Sequence, residues 1–577
     1  MKRYMKYIKP YWGFFVISPC LMMVEVFCDV QIPALAAQII NQGVSQGSPD
    51  QIYALAMEML AMVLLSIVGG AGAAYAASRA AVCFSCDLRS DLFDKIQTFS
   101  FANVDKFSSG SLITRLTNDI TQMEQLIIMS LRMMFRAPGM LIGSMIMAFT
   151  LNDSLAWIFV VMIPILATII GVIVSLSYKK FAFLQEKVDG LNQTVREALV
   201  NVRVIKGLSR EDYEIDKFQG VNGDLKESSL SAYYLSVLQM PMMTLVIYVC
   251  TAAILYFGGI ELMEGNLSSG DITAFITYAT QILMSVNMLS MVFMQSSRAI
   301  ASSNRICEVL DTNTDLSDEK AQYPEKKVTS GSIVFEDVNF KYSKQNQENI
   351  LQGLNLSIQA GQTVGIIGST GSGKTSLVQL IPRLYDVTQG KILVDGTDVR
   401  DYSLNNLREG VSVVLQNNLL FSGTISENLQ WGDKNATAQD QALATKMAAA
   451  DEFIQKMPQG YDSYVQQGGM NLSGGQKQRM CIARALLKKP KILIFDDSTS
   501  AVDTATEQQI RHYLANDLSG VTKIIIAQRI TSVMYADVIV VLNEGEIEMV
   551  GTHKELMESS QTYQEVYQSQ VNQEVME

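Results

Sequence analysis

Histidine is almost missing from this chain: His512 and His553 are the only two in 577 residues. A Cys/His zinc or redox centre would therefore have to draw mainly on thiols. The seven cysteines, at positions 20, 28, 83, 86, 250, 307 and 481, include one C-x-x-C pair, Cys83 and Cys86. No second Cys/His pair completes a zinc set, and the pair reads as two thiols three apart on a continuous helix. No cysteine falls in a loop that reads as external, so a disulfide framework is not expected. Basic residues are also scarce, 45 Lys and Arg against 57 Asp and Glu. The deficit lies almost wholly after residue 310, where 23 basic residues face 33 acidic ones, against 22 and 24 before it. That balance argues against a nucleic-acid partner, which would need clustered Lys and Arg.

Apolar sequence is abundant, and it is unevenly spread. Residues 1–310 hold long apolar tracts and 23 of the 31 methionines, whereas the text from about residue 331 is mixed and charged. A chain of this length exceeds one ordinary domain. The reading is a membrane domain over 1–310, a linker over 311–330 and a soluble domain over 331–577. A bilayer span needs about 20 apolar residues. Six candidates occur, near 12–41, 52–82, 128–151, 154–178, 236–262 and 271–297. The connections NQGVSQGSPDQ, ND and EGNLSSG contain no Lys or Arg, while the N-terminus (Lys2, Arg3, Lys6, Lys9) and the stretches after spans 2 and 4 are rich in both. Positive charge is retained on the cytoplasmic side, so both termini are expected inside. The first apolar run is too long for a cleaved signal peptide and contains Glu25 and Asp29.

Charges inside spans are costly and normally face a cavity or each other. Glu25 and Asp29, four apart, share one face of span 1; Glu58 sits in span 2, and Arg132 and Arg136 open span 3. The favoured reading of Glu25 and Asp29 is a polar cavity wall rather than a salt bridge to another span, with Glu58 as a further candidate substrate contact. Methionine adapts its shape to varied apolar ligands, although it is also ordinary lipid-facing filler. Two cytoplasmic stretches, VDKFSSGSLITRLTNDI (104–120) and GLSREDYEIDKFQ (207–219), carry polar breaks within helical pattern. They read either as solvated turns or as short elements resting on another domain.

The soluble half contains GQTVGIIGSTGSGKTS (361–376), an apolar strand, a glycine loop and a helix start that fit G-x-x-x-x-G-K-[ST]. Backbone amides from Gly368 through Ser376 (Ser369, Thr370, Gly371, Ser372 and Gly373 between them) would close around phosphates, with the helix N-terminus adding a favourable dipole. Lys374 is expected to reach the β- and γ-phosphates of ATP and Thr375 to coordinate Mg²⁺. Tyr342 is placed to stack on adenine.

LSGGQKQR (472–479) follows. With the phosphate loop it makes the whole chain resemble the ATP-binding cassette family, and the six preceding spans make it resemble an exporter half-transporter. The resemblance implies a six-helix all-α transmembrane domain followed by an α/β P-loop domain. It implies that Ser473, Gly474, Gly475 and Gln476 bind the γ-phosphate of ATP held by an opposite subunit. It also makes Gln416 the Q-loop ligand of Mg²⁺ and water, Asp496 the Walker B carboxylate, and Ser500-Ala501-Val502-Asp503 the D-loop. Hydrolysing sites of the family carry Glu after Walker B and His in the switch loop. Here Asp497 and Gln528 stand there, and Gln467 replaces an acidic residue in QQGG (466–469).

Asp is shorter than Glu by one methylene, about 1.5 Å, and a misplacement of about 1 Å costs on the order of 10²-fold in rate. The Gln amide can donate to a phosphate but cannot carry imidazolium charge. The pattern resembles the degenerate-site subunit of bacterial heterodimeric multidrug exporters. It implies a slow site at Asp497 and Gln528, an intact LSGGQ lent to a partner half-transporter with a Glu/His site, and ATP-driven export of small hydrophobic or amphipathic compounds across the bacterial cytoplasmic membrane. The rival readings are a homodimer with a merely slow base, a lipid or peptide exporter, an importer on exporter architecture, and a non-transporting ATP sensor or gated channel. No peptidase segment precedes span 1, which lowers the expectation of a leader-cleaving peptide exporter.

Overall fold

Among the described residues of the computed structural model, six helices are long and apolar enough to cross a membrane: Met5–Val44, Pro49–Gln97, Ser109–Leu151, Asp153–Val200, Glu211–Met263 and Ser269–Asp311. The structure describes residues 2–44, 47–319, 321–342, 348–498 and 503–574. All six expected spans fall inside these helices, which run well past them because the flanking polar sequence continues the helical pattern. At most 33 % of any helix's most apolar stretch is buried within the chain, so these surfaces face outward as lipid-exposed helices do.

The chain divides into two compact units, Met1–Gln97 with Gly110–Asp311, and Thr98–Ser109 with Thr312–Glu577. In the first unit, the second membrane helix presents Gly69, Ala73, Ala76, Ala77, Ala80 and Ala81 as a buried stripe. Small side chains let helix backbones approach closely, the packing device available where lipid removes the hydrophobic drive. Larger side chains fill the space between the fourth, fifth and sixth helices, where Phe159 and Phe275 stack with ring centroids 5.8 Å apart.

Both expected breaks are present. Ser100 caps the short helix Phe101–Phe107 through the Asn103 amide, and Ser108 then leaves helical geometry at φ +53°. The other break follows the short helix Val202–Gly207, at Leu208–Arg210, where Ser209 has φ +49°. The segment Thr98–Ser109 belongs to the second unit: the Tyr385 hydroxyl donates to Asp105 at 2.7 Å, and Phe101 meets the Tyr385 ring edge-on at 6.0 Å. The stretch read as a linker is likewise folded into that unit, since Leu316 and Val328 are buried and Tyr323 N donates to Asp401 O at 2.8 Å. A short, partly polar composition hid these docking points.

The second unit contains, in chain order, β1 (Ile333–Phe340), β2 (Leu351–Ile358), β3 (Thr363–Gly368), β4 (Gln389–Val394), β5 (Thr397–Asp398), β6 (Val411–Val414), β7 (Gly423–Thr424), β8 (Tyr464–Val465), β9 (Ile492–Asp496), β10 (Thr522–Ile526), β11 (Val538–Asn543) and β12 (Glu546–Gly551). The main sheet runs β12-β11-β3-β10-β9-β6 and is parallel except at β12; an antiparallel sheet runs β2-β1-β4-β5. β9 and β10 are buried along their whole length, as near-continuous apolar strands covered on both faces must be.

The turn joining β4 to β5 places Asp395 and Gly396 at φ +49° and +73°, the left-handed pair that an Asp-Gly hairpin accommodates. The Asp395 carboxylate accepts from the backbone amides of Thr329, Ser330, Gly331 and Ser332 at 2.7–3.0 Å. Burial opposes its charge, but these bonds and the Ser330 hydroxyl prevail and hold it well below the usual carboxylate range.

Candidate nucleotide site and membrane charge cluster

Four parallel strands end at one cavity of about 520 Å³. β3 delivers Gly368 and the loop behind it, β6 leads to Gln416, β9 ends in Asp496 and Asp497, and β10 ends in Ile526 ahead of Gln528. Ligands of open α/β sheets bind outside such carboxyl ends. The loop turns into helix Lys374–Leu380 through Gly373 at φ +92°, where a Cβ would lie 2.6 Å from the Leu351 side chain. No other residue type fits that position without strain.

The expected residues Tyr342, Gly368, Ser369, Thr370, Gly371, Gly373, Lys374, Thr375, Ser376, Gln416, Asp496, Asp497 and Gln528 all line the cavity. Ser372 does not; it is buried behind the loop with its hydroxyl unpartnered. Ile350 and Ile526 line the cavity without having been expected, because each is an ordinary apolar residue at a strand edge with no motif to mark it. The Tyr342 hydroxyl lies 2.8 Å from Ser376 Oγ, and its ring stands edge-on to Phe340 and Tyr385, so the phenol is fixed at the cavity rim.

Lys374 Nζ donates to the carbonyls of Gly368 and Ser369 at 2.9 and 2.7 Å. Burial pushes its pKa down against the pull of Asp497 and Asp496. Thr375 Oγ1 donates to Asp496 Oδ1 at 2.9 Å, which brings together the two side chains expected at a metal. Burial raises the pKa of Asp496, with the Thr375 bond opposing and the neighbouring Asp497 adding to the rise. Asp497 takes φ +49° and accepts from Gln528 Nε2 at 2.7 Å and Gln416 Nε2 at 3.4 Å. Burial pushes its carboxyl upward too, against those amides and the Lys374 charge. The basic, glycine-rich loop beside two carboxylates and a hydroxyl fits a nucleoside triphosphate with a divalent cation, the donor set of a phosphate-loop site.

The LSGGQ signature, Leu472 to Gln476, lies apart from this cavity. Ser473 caps helix Gly474–Leu487 with a reciprocal bond pattern to Gln476, and Ser473 and Gly474 are exposed. In the D-loop, Ser500, Ala501 and Val502 lie outside the described residues; Asp503 caps helix Thr504–Asn516 by accepting from Thr506 N at 2.9 Å. QQGG makes a tight turn with Gly468 and Gly469 at φ +67° and +66°.

The membrane unit corrects the reading of Glu25 and Asp29. They do not form an open cavity wall: Arg136 pairs with Glu25 through Nη1 and with Asp29 through Nη2, the latter at 3.0 Å. Ser66 Oγ donates to Asp29 Oδ1 at 2.6 Å. Gly69 and Gly70 leave the room required, since a Cβ at Gly70 would lie 2.7 Å from Glu25 Oε2. The cost of an unpaired carboxylate in this setting explains why a guanidinium from the third helix reaches back to the first. Glu58 is exposed on the second helix and takes no part in the cluster. A separate apolar groove of about 500 Å³ lies between the fourth and fifth helices, lined by Trp157, Met162, Val249 and Phe257 and ending at Glu261.

A six-helix membrane unit joined to a phosphate-loop unit with a separate signature helix defines a transport ATPase. Family models agree: "ABC transporter transmembrane region" matches residues 15–286 and "ABC transporter" matches residues 351–500. The chain belongs to the ABC transporter family and has the make-up of an exporter half-transporter. It is 38 % identical over 574 residues to the uncharacterized ABC transporter ATP-binding protein YfiB of Bacillus subtilis, covering 100 % of this chain and 99 % of that one. Identity is 37 % over 569 residues to Rv1273c, an uncharacterized ABC transporter ATP-binding protein of Mycobacterium tuberculosis, covering 98 % and 97 %. A bacterial Atm1-family ABC exporter solved with ATP bound superposes with a TM-score of 0.80 at 25 % identity, covering 96 % of this chain and 98 % of that one. This fold works as a pair of half-transporters in a lipid membrane.

Proposed function

We propose that this chain is the slowly hydrolysing half of a heterodimeric bacterial exporter. The observation that carries the proposal is the Asp497 carboxylate, one methylene short and accepting from two glutamine amides, Gln528 and Gln416. A general base must reach its water with a free lone pair and a partner able to spread developing charge. Here the partners are neutral amides, which hold the carboxylate without supplying a proton relay. The site is built to hold ATP and to split it slowly.

Thr375, Asp496 and Gln416 would hold Mg²⁺, which neutralises charge on the phosphates when bound. Lys374 turns from its loop carbonyls to the β- and γ-phosphates. Tyr342 offers its ring to adenine. Exposed Ser473 and Gly474, with Gly475 and Gln476, close the partner's site, and Asp503 stands at the same face of the dimer. Binding of ATP closes the two nucleotide domains, the breaks near 104–120 and 207–219 pass the motion to the spans, and hydrolysis at the partner's Glu/His site resets them. Coupling of this kind needs ATP to favour one conformation over the other.

The cargo class is small and hydrophobic or amphipathic, in keeping with the apolar groove that ends at Glu261. The absence of Lys and Arg from three alternate connections supports cytoplasmic termini. The test is phosphate release by the purified chain in lipid nanodiscs. The expected turnover is near background alone and restored by a partner carrying Glu and His. Brisk turnover by the chain alone would overturn the asymmetry.

A further inference from the structure

A second cavity in the C-terminal unit, about 370 Å³, has no lining residue in common with the nucleotide site. It is walled by helix Thr504–Asn516, by Thr363 and Lys523 near the starts of β3 and β10, and by Ser532, Tyr535 and Ala536. The nucleotide cavity uses the opposite ends of the same two strands. Among the described residues, Arg511, His512 and Lys523 line the second cavity and no carboxylate does. This is a local reversal of sign in a part of the chain with 33 acidic and 23 basic residues.

Lys523 is only 3 % exposed. Among the described residues its amine makes no hydrogen bond and no ion pair. Buried ammonium groups are normally paired, because desolvation is costly. The carboxylate that acts on it, Asp537, is already engaged by Thr363 N at 2.8 Å. Burial pushes the Lys523 pKa down, which an anion beside it would reverse. Arg511 is held at both ends of its guanidinium: Nη1 donates to Thr531 O at 2.9 Å and Nη2 lies 3.7 Å from Glu507. Its Cζ lies 5.6 Å from the centre of the Tyr535 ring, while Nε is buried without a partner. His512 contacts Asn516 on its own helix.

We propose that this cavity binds the phosphate group of a small phosphorylated molecule, with Lys523 and Arg511 as its ligands. Lys523 and Arg511 supply cationic donors beside the carboxylates of Asp537 and Glu507, and Arg together with Lys is suited to phosphate oxygens. The cavity exceeds the size of phosphate alone, leaving room for a short organic portion beside Tyr535. The site stands independently of the heterodimer reading, since it uses neither the phosphate loop nor the signature.

The test is equilibrium binding of radiolabelled inorganic phosphate to the full chain in nanodiscs, in a Lys374→Ala background that removes the phosphate loop's contribution. One saturable phosphate per chain is expected. Adding Lys523→Met or Arg511→Gln should weaken binding by about tenfold or more, the loss of one charged hydrogen bond. Circular dichroism of each variant checks folding; if Lys523→Met fails to fold, Arg511→Gln decides. Loss of saturable binding with Lys374→Ala alone, or binding unaffected by a folded Lys523 or Arg511 variant, overturns the proposal.

Discussion

Asp497 is one methylene shorter than Glu, and its Oδ2 accepts from two glutamine amides, Gln528 at 2.7 Å and Gln416 at 3.4 Å. Restoring the longer arm and the imidazole together, Asp497→Glu with Gln528→His, should raise hydrolysis by the isolated chain on the order of 10²-fold, read as phosphate release. Either change alone should give much less, because base and charge partner act as a unit. The same pocket sets a pH response. Burial raises the pKa values of both Asp496 and Asp497, so on acidification each takes up a proton before an ordinary Asp would. A metal needs the ionised form. Measured from about pH 8 down to 5, affinity for Mg²⁺ and ATP should therefore begin to fall at a higher pH than an unperturbed carboxylate predicts. Isothermal titration across that range checks it. The short arm and the missing imidazole were legible from position in a motif. The clamp by Gln416 was not, since nothing in spacing alone aims one amide at another strand's carboxylate.

Helices and strands show a similar division. The spans were legible because apolar length is a one-dimensional property, and the nucleotide strands because phosphate chemistry demands glycines at fixed offsets. The pairing of Arg136 with Glu25 and Asp29 was not. Those residues are far apart in sequence on different helices, and only packing chooses between a cavity and an ion pair. Arg136→Met should leave two carboxylates facing each other without a counter-charge, costing about 3–5 kcal/mol. A lowered midpoint of thermal unfolding in detergent micelles is the measurement. At the β4–β5 turn, Asp395→Asn should likewise destabilise the C-terminal unit. Its folded pKa is depressed, so this contribution is present above about pH 4, the ordinary Asp range, and is lost as pH falls further. The difference in stability between wild type and Asp395→Asn should accordingly shrink in acid.

At the scale of the whole molecule, the ABC exporter fold requires a second half-transporter and a lipid surround. Leu64, Val68, Val172 and Leu255 are among the many exposed apolar side chains that demand the lipid. Co-expressed with a Glu/His half-transporter, the chain should purify in micelles at the mass of one copy of each, and light scattering measures this. A mass corresponding to two copies of this chain would contradict the proposed pairing. Domain order was readable from the shift in composition near residue 310, but the true membership of Thr98–Ser109 was not, because proximity in sequence favours the wrong unit. That membership has a consequence for synthesis. Tyr385 meets Asp105 across 280 positions. At about 5–20 residues per second the ribosome makes the helix Phe101–Phe107 on the order of tens of seconds before its aromatic seat exists. The nascent chain must hold that piece in reserve, and the C-terminal half, expressed by itself, would emerge with the seat unfilled.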